Sequence, residues 1–167
     1  FTALDSAQGF WHANVRKLFI DSSQRLWLGS NEGAGLWLEQ TQQFQRILDQ
    51  NDLPIADYIN GFAEDHQQNL WLATGSSGLL KIDSNTLSAS PAVFSADSPQ
   101  APQSILGILF DQQNRLWLDT PNGLFVINNT AQQPLRLSAA KITEQPLQSV
   151  LGANLLQDRQ GRLWTLR

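Results

Sequence analysis

The stretch "DSSQRLWLGS", Asp21 to Ser30, decides how this chain is read, because near-copies follow as "DHQQNLWLAT" from Asp65, "DQQNRLWLDT" from Asp111 and "DRQGRLWTLR" from Asp158. Aligned on their Leu-Trp pairs, these segments put Trp27, Trp71, Trp117 and Trp164 in register at intervals of 44, 46 and 47 residues, each with an aspartate six positions earlier. Self-similarity at one period is the mark of a repeat architecture.

Before each aspartate stands a short apolar segment ("VRKLFI", "INGFAE", "ILGILF", "LGANLLQ") that reads as a strand. First strands are expected near Val15 to Asp21, Ile59 to Asp65, Ile105 to Asp111 and Leu151 to Asp158. Polar residues separate each aspartate from the Leu-Trp pair that opens a second strand, so the two strands form a hairpin. The carboxylate at its end accepts backbone N–H groups of the turn, the Asx-turn chemistry that favours Asp and Asn there. Gly35, Gly78 and Gly123 precede a third strand and are expected to supply the positive φ of a tight turn. A weaker fourth strand is expected over Phe44 to Ile47, Val93 to Ser95 and Leu135 to Leu137.

Four short antiparallel strands in each unit of about 45 residues is the pattern of a β-propeller blade, whereas a β-helix needs a far shorter period. The fold class is therefore all-β. The repeats run approximately over 15–48, 59–95, 105–137 and, in part, 150–167, with residues 1–4 read as the last strand of a preceding blade. That makes about three full blades plus pieces of one or two more. Asp21, Asp65, Asp111 and Asp158 fasten turns, and Trp27, Trp71, Trp117 and Trp164 fill the space between neighbouring blades.

The repeated pattern, an apolar strand, Asp, three polar residues, Arg or Asn, then Leu-Trp, a small residue, Ser or Thr, and later Gly-Leu, resembles the two-component regulator propeller repeat from Val15 to Arg167. The resemblance implies a ligand-sensing region in the periplasm of a bacterial signalling protein. The parent would carry a membrane helix and a histidine kinase or diguanylate cyclase, and the ligand would be a small molecule, often a carbohydrate. No chemistry by the propeller itself, and no cofactor, is implied. Two departures stand out: Asp119 occupies the position of Gly29 and Ala73, and the fourth unit ends in "LWTLR" without the small residue and Ser/Thr pair. Asp119 reads as a surface-facing loop acid, with a place in a ligand site as the alternative.

Composition narrows the function. With 167 residues and 41% hydrophobic content the chain has enough material for one domain with a real core. A formal charge of −4 and the lack of any Lys/Arg cluster argue against nucleic acid or an anionic membrane surface. No apolar run approaches the roughly 20 residues that span a bilayer. Without cysteine there is no disulfide framework or thiolate zinc site, and the lack of any methionine leads us to expect a piece of a longer protein.

No catalytic motif is present. The glycine-rich "GSNEGAG" (Gly29 to Gly35) joins two strands and opens no helix, so it is not a phosphate cradle. His12 and His66 are the only histidines, His66 lies in a polar turn, and the aspartates lack the alternating oxygens of a calcium loop, so no metal site is expected.

The positions that vary between repeats are the better candidates for function, since repeated positions serve the repeated packing. Loops that converge on one face of a propeller would carry Arg16, Asn31, Glu32, Asp57, Tyr58, Asn60, Asp119 and Asn122. Tyr58 is suited to stack on a sugar ring while Asn60 and the carboxylates take its hydroxyls. Two other readings stay open: a lyase- or lactonase-like propeller enzyme, and a protein-interaction platform. An open arc of blades would also leave apolar faces and strand edges uncovered, so association with the rest of a propeller or with a second copy is expected, self-closure being the alternative.

Overall fold

The computed structural model describes Gly9 and residues 14–98, 100–140 and 155–165, and within them the chain is all-β, with no helix. Sheet 1 is a meander of β1 (Val15–Ile20), β2 (Leu26–Ser30), β3 (Gly33–Leu38) and β4 (Gln43–Arg46), each antiparallel to the next. After β5 (Leu48–Asp49), sheet 2 follows the same plan with β6 (Ile59–Glu64), β7 (Leu70–Thr74), β8 (Leu79–Asp83) and β9 (Ser88–Pro91). Sheet 3 is built from β10 (Gly107–Phe110), β11 (Leu116–Thr120), β12 (Gly123–Ile127) and β13 (Ser138–Ala139). The pair β14 (Leu155–Gln157) and β15 (Leu163–Thr165) starts a fourth unit. The expected strand at Phe1 to Leu4, and the start of the expected strand from Leu151, lie outside the described residues.

The sheets stack face to face, with the first strand of each packed beside the first strand of the next. Strand β7 shows why the sequence demands this arrangement. Successive side chains point to opposite faces, so Leu70 and Leu72 join Trp27, Leu36, Ile59 and Phe62 in one core, while Trp71 and Ala73 join Ile108, Leu116, Leu118 and Ile127 in the next. Every residue of β7 is buried. Burial of the repeated tryptophans falls along the chain: Trp27 and Trp71 are enclosed, Trp117 is half-buried and Trp164 is 54% exposed.

Each aspartate ends its strand and holds the turn as the Asx chemistry requires. Oδ1 of Asp21 accepts the N–H groups of Ser23 and Arg25 at 3.0 and 2.8 Å, and Asp65, Asp111 and Asp158 repeat the pattern. Oδ2 does something the sequence reading did not anticipate: it accepts the indole N–H of the tryptophan six residues on, at 2.9 Å for Trp27, 3.3 Å for Trp71, 2.7 Å for Trp117 and 2.9 Å for Trp164. The third residue after each aspartate takes a left-handed conformation, with φ of 63° at Gln24, 63° at Gln68, 59° at Asn114 and 79° at Gly161.

The turns also join one unit to the next. Glu64, just before Asp65, accepts the Ser22 N–H at 2.7 Å, and Gln157, just before Asp158, accepts the Gln112 N–H at 2.9 Å. Phe110 holds the corresponding place in sheet 3, so the His66 N–H is instead accepted by the Asn114 side chain at 2.9 Å.

Several expectations about the outer part of each sheet are corrected. The fourth strand of sheet 2 is Ser88–Pro91 and not Val93 to Ser95, because the turn over residues 84–87, closed by Leu87 at φ 55°, reverses the chain at once. The fourth strand of sheet 3 is Ser138–Ala139 and not Leu135 to Leu137. The apolar residues that drew those expectations link neighbouring sheets: Phe94 and Leu135 form a parallel bridge, with Ser95 N–H donating to Leu135 O at 2.8 Å and Leu135 N–H to Val93 O at 2.7 Å. Likewise β5 leaves sheet 1 and pairs in parallel with β9, so sheet 2 has five strands instead of four antiparallel ones. Strand β5 thereby covers the outer edge of β9, which would otherwise present unpaired backbone groups.

In unit 1 the positive φ falls at Gly33 (114°), not Gly35, because Ser30 pairs with Gly33 around a two-residue turn and places Gly35 inside β3 opposite Leu28. A side chain at Gly33 would collide with the Ile55 carbonyl. Gly78 and Gly123 have the expected positive φ, at 73° and 131°.

Candidate functional site

The rim where the first strands begin carries the best-defined cluster of variable residues. Register slips by one residue between Val15 and Lys17 in β1 and between Ile59 and Gly61 in β6, so Arg16 and Asn60 each occupy a β-bulge five positions before the repeat aspartate. A bulge re-aims its side chain out of the pleat. Here it turns Arg16 toward the neighbouring unit, where Nη2 donates to Oδ1 of Asn60 at 3.0 Å while Nη1 donates to Oδ1 of Asn31 at 3.3 Å. Asn60 in turn donates from Nδ2 to the Ile105 carbonyl of the third unit at 2.9 Å. A continuous polar run thus crosses three units.

Tyr58 stands beside this run, its ring 54% exposed and 5.6 Å from the Arg16 guanidinium carbon. The arrangement offers guanidinium N–H groups held in a fixed direction, two carboxamides and an open aromatic face. Bidentate and charge-assisted donation from such a group favours a carboxylate or a set of hydroxyls, and the phenol ring suits an apolar face of the same molecule. Below the rim, a cavity of about 140 Å³ runs between the first strands, walled by Phe19, Asn60, Phe62 and Ile108.

The other candidates are placed differently. Asp57 is buried, and its carboxylate accepts from Tyr58 N–H at 2.7 Å, from Ser76 N–H and Oγ at 3.0 Å each, and from Ser77 N–H at 2.7 Å. Burial works against its ionisation, but the hydrogen bonds of Ser77 and Ser76 outweigh it and hold the carboxyl below the usual range. Its role is to fix the loop under Tyr58, which stands on Gly75 through a 2.9 Å bond from Gly75 N–H to Tyr58 O. Asp119 is 1% exposed, so the surface-facing reading is corrected: it faces the fourth unit and accepts from Thr165 Oγ1 at 3.3 Å.

Glu32 is exposed, and its carbonyl accepts from Arg46 Nη2 at 2.9 Å. Asn122 lies at the matching turn of sheet 3, in a separate cavity of about 240 Å³ walled by Pro102, Gln103, Pro121 and Phe125. Thus Arg16, Asn31, Tyr58 and Asn60 come together, and Asp57 supports them from beneath. Sequence reasoning missed the bulge as the device that aims them. The signal was the position itself, five residues before each aspartate, where Leu106 is the third occupant and is 38% exposed.

Among the described residues no group of three or more His, Asp or Glu side chains is placed to hold a metal ion.

Comparison with known proteins adds the fold. No protein-family model matches the chain, and no curated protein matches it. Two structures of the extracellular domain of BT4673 from B. thetaiotaomicron are similar to it. One, described as a one-component system, has a TM-score of 0.75 at 19% identity over 98% of this chain, and the other, described as a hybrid two-component system, has 0.70 at 18% over 95%. The likeness is one of fold. The chain spans 22% and 21% of the length of those two structures, about a fifth. A luciferin-regenerating enzyme is also similar, with a TM-score of 0.54 at 17% identity over 84% of this chain and 48% of that one.

Proposed function

We propose that this chain is an arc of a β-propeller that senses a small ligand outside the cytoplasm, in the periplasm, as part of a membrane-anchored bacterial signal-transduction protein. The repeats 15–48, 59–95, 105–137 and 150–167 are its blades. The observation that carries the reading is the Arg16 bridge: one guanidinium, aimed by a bulge, ties Asn31 of its own unit to Asn60 of the next beside the open ring of Tyr58. A ligand held by groups of two units shifts how those units sit together when it binds one arrangement more tightly, which is what a sensor requires. The fold likeness to extracellular domains of signalling systems supports the same reading. The ligand class that suits the cluster is a hydroxylated molecule with an apolar face, such as a glycan fragment.

Thermal-shift screening of the full-length protein against neutral sugars and oligosaccharides tests this. A stabilising ligand should lose its effect on Arg16→Ala and Tyr58→Ala while the unliganded melting temperature stays within a few degrees of the parent. A ligand that stabilises both variants as well as it does the parent would remove the Arg16 cluster from the binding site.

A further inference from the structure

The second unit breaks the repeat in a way that opens a third cavity. Four residues after the aspartate the other units carry Arg25, Arg115 and Arg162, whose Nε atoms donate to the aspartate at 2.7, 2.6 and 2.6 Å and whose guanidinium carbons lie 5.3, 5.3 and 5.4 Å from the indole centres of Trp27, Trp117 and Trp164. Unit 2 has Asn69 there. Its carboxamide satisfies both oxygens of Asp65, at 3.0 and 2.9 Å, but is too short to cover Trp71. Lys81 covers it instead, with Nζ 5.4 Å from the ring centre. Lys81 is the cross-strand partner of Trp71, a place held by Leu36 opposite Trp27 and by Val126 opposite Trp117.

Two substitutions have therefore moved the cation from the turn, where a carboxylate neutralises it, to the middle of β8. Among the described residues no carboxylate forms an ion pair with Lys81. Beside it lies a cavity of about 490 Å³ lined by Gln67, Asn69, Lys81, Asp83, Asn85 and Ser90. That volume is within the roughly 300–1,000 Å³ usual for small-molecule sites. Strand alternation places Asn69, Lys81, Asp83 and Ser90 on the face that bears Trp71.

We propose that this cavity binds a small hydroxylated monocarboxylate of sugar-acid size, independently of the Arg16 cluster. The Lys81 ammonium takes the carboxylate, in place of the aspartate that the other units give their arginines. The carboxamides of Gln67 and Asn85 carry donors and acceptors that match vicinal hydroxyls, Asn69 adds its Oδ1 as an acceptor because its Nδ2 is held by Asp65, and Ser90 adds one of each. Asp83 sets the charge limit: its Oδ1 is tied to the N–H groups of Asn85 and Thr86, at 2.9 and 3.3 Å, and the ionised group accepts a hydroxyl proton while repelling a second negative charge. One ammonium facing one carboxylate fits a singly charged ligand and disfavours a phosphate dianion.

Isothermal titration of the full chain with glucuronate, glucose and acetate tests the assignment, since glucose has the hydroxyls without the charge and acetate the charge without the hydroxyls. Glucuronate should bind, with glucose and acetate at least tenfold weaker. Lys81→Met should weaken glucuronate at least tenfold, and Lys81→Arg should retain most of the affinity. Asn69→Arg, which installs the residue of the other three units and fills the cavity, should abolish binding without lowering the melting temperature. The proposal is overturned if glucuronate does not bind the parent chain, or if it binds Lys81→Met and Asn69→Arg as tightly as the parent. Loss of glucuronate binding in Arg16→Ala but not in Lys81→Met would also overturn it, by placing the anion at the other site.

Discussion

The indole N–H of Trp117 donates to Oδ2 of Asp111 across 2.7 Å, and Arg115 reaches the same oxygen at 2.6 Å from above the ring. One buried carboxylate therefore closes a turn, orients an indole and holds a cation over it. Removing it leaves two backbone N–H groups and an indole N–H without their acceptor and releases Arg115 to solvent. Asp111→Ala should cost roughly 2–4 kcal/mol, chiefly from the hydrogen bonds left unmade, since Arg115 is 39% exposed and turns to water. Urea denaturation measures it, and an unchanged midpoint would mean the network contributes nothing.

The tryptophans differ in burial although their sequence context repeats, so their deletion costs should differ as well. Trp71, 1% exposed, is enclosed between two sheets, and Trp71→Ala should lose about 3–5 kcal/mol. Trp164→Ala, at a site 54% exposed, should lose well under half of that. Equal midpoint shifts for the two variants in this chain would contradict the stacking order.

Acid should destabilise the fold through the repeat aspartates. Burial works against ionisation of Asp21 and Asp111, but the indole, backbone and arginine donors outweigh it and hold both carboxyls below their ordinary range. A depressed folded-state value contributes stability that is complete above the unfolded carboxyl value of about 4 and is lost as pH falls through the folded one. Melting temperature should be nearly flat from pH 7 to about 5 and fall steeply below about 4. The fall should be shallower in Asp111→Asn, which has no charge to lose at that site.

Gln24 sits at φ 63°, in a region that disfavours residues with a β-carbon. Gln24→Gly relieves that strain against a gain in unfolded-chain entropy, for a net rise in stability of up to about 1 kcal/mol. Asn114→Gly should show no such gain, because Asn114 has φ of 59° but its side chain also accepts the His66 N–H. Calorimetric melting of the two variants separates strain relief from loss of a link between units.

Gly29 lies where a β-carbon would stand 2.5 Å from Cγ2 of Ile59 in the next unit. Gly29→Ala should therefore cost about 1–3 kcal/mol by overpacking, measured by the denaturation midpoint. In an Ile59→Ala background, where Cγ2 is gone, the added cost of Gly29→Ala should be smaller than in the parent.

What the sequence alone determined was the all-β class, the repeat period, the first three strands of units 1 to 3 and the Asx turn. Those features rest on strand alternation and on a carboxylate bonding to its own turn two and four residues ahead, so local chemistry suffices. The outer strands were misplaced because Phe94 and Leu135 looked like strand residues and in fact pair with each other across two sheets. Nor could the candidate site be read fully from the chain. The meeting of Arg16 with Asn60, 44 residues away, depends on two bulges and on the way one unit leans on the next. The enclosure of Asp57 and Asp119 depends on the loop or unit that covers each carboxylate. A repeat sequence specifies its unit through short-range bonds, while the contacts that distinguish one unit from another form only when the sheets stack and their side chains face neighbours remote in sequence.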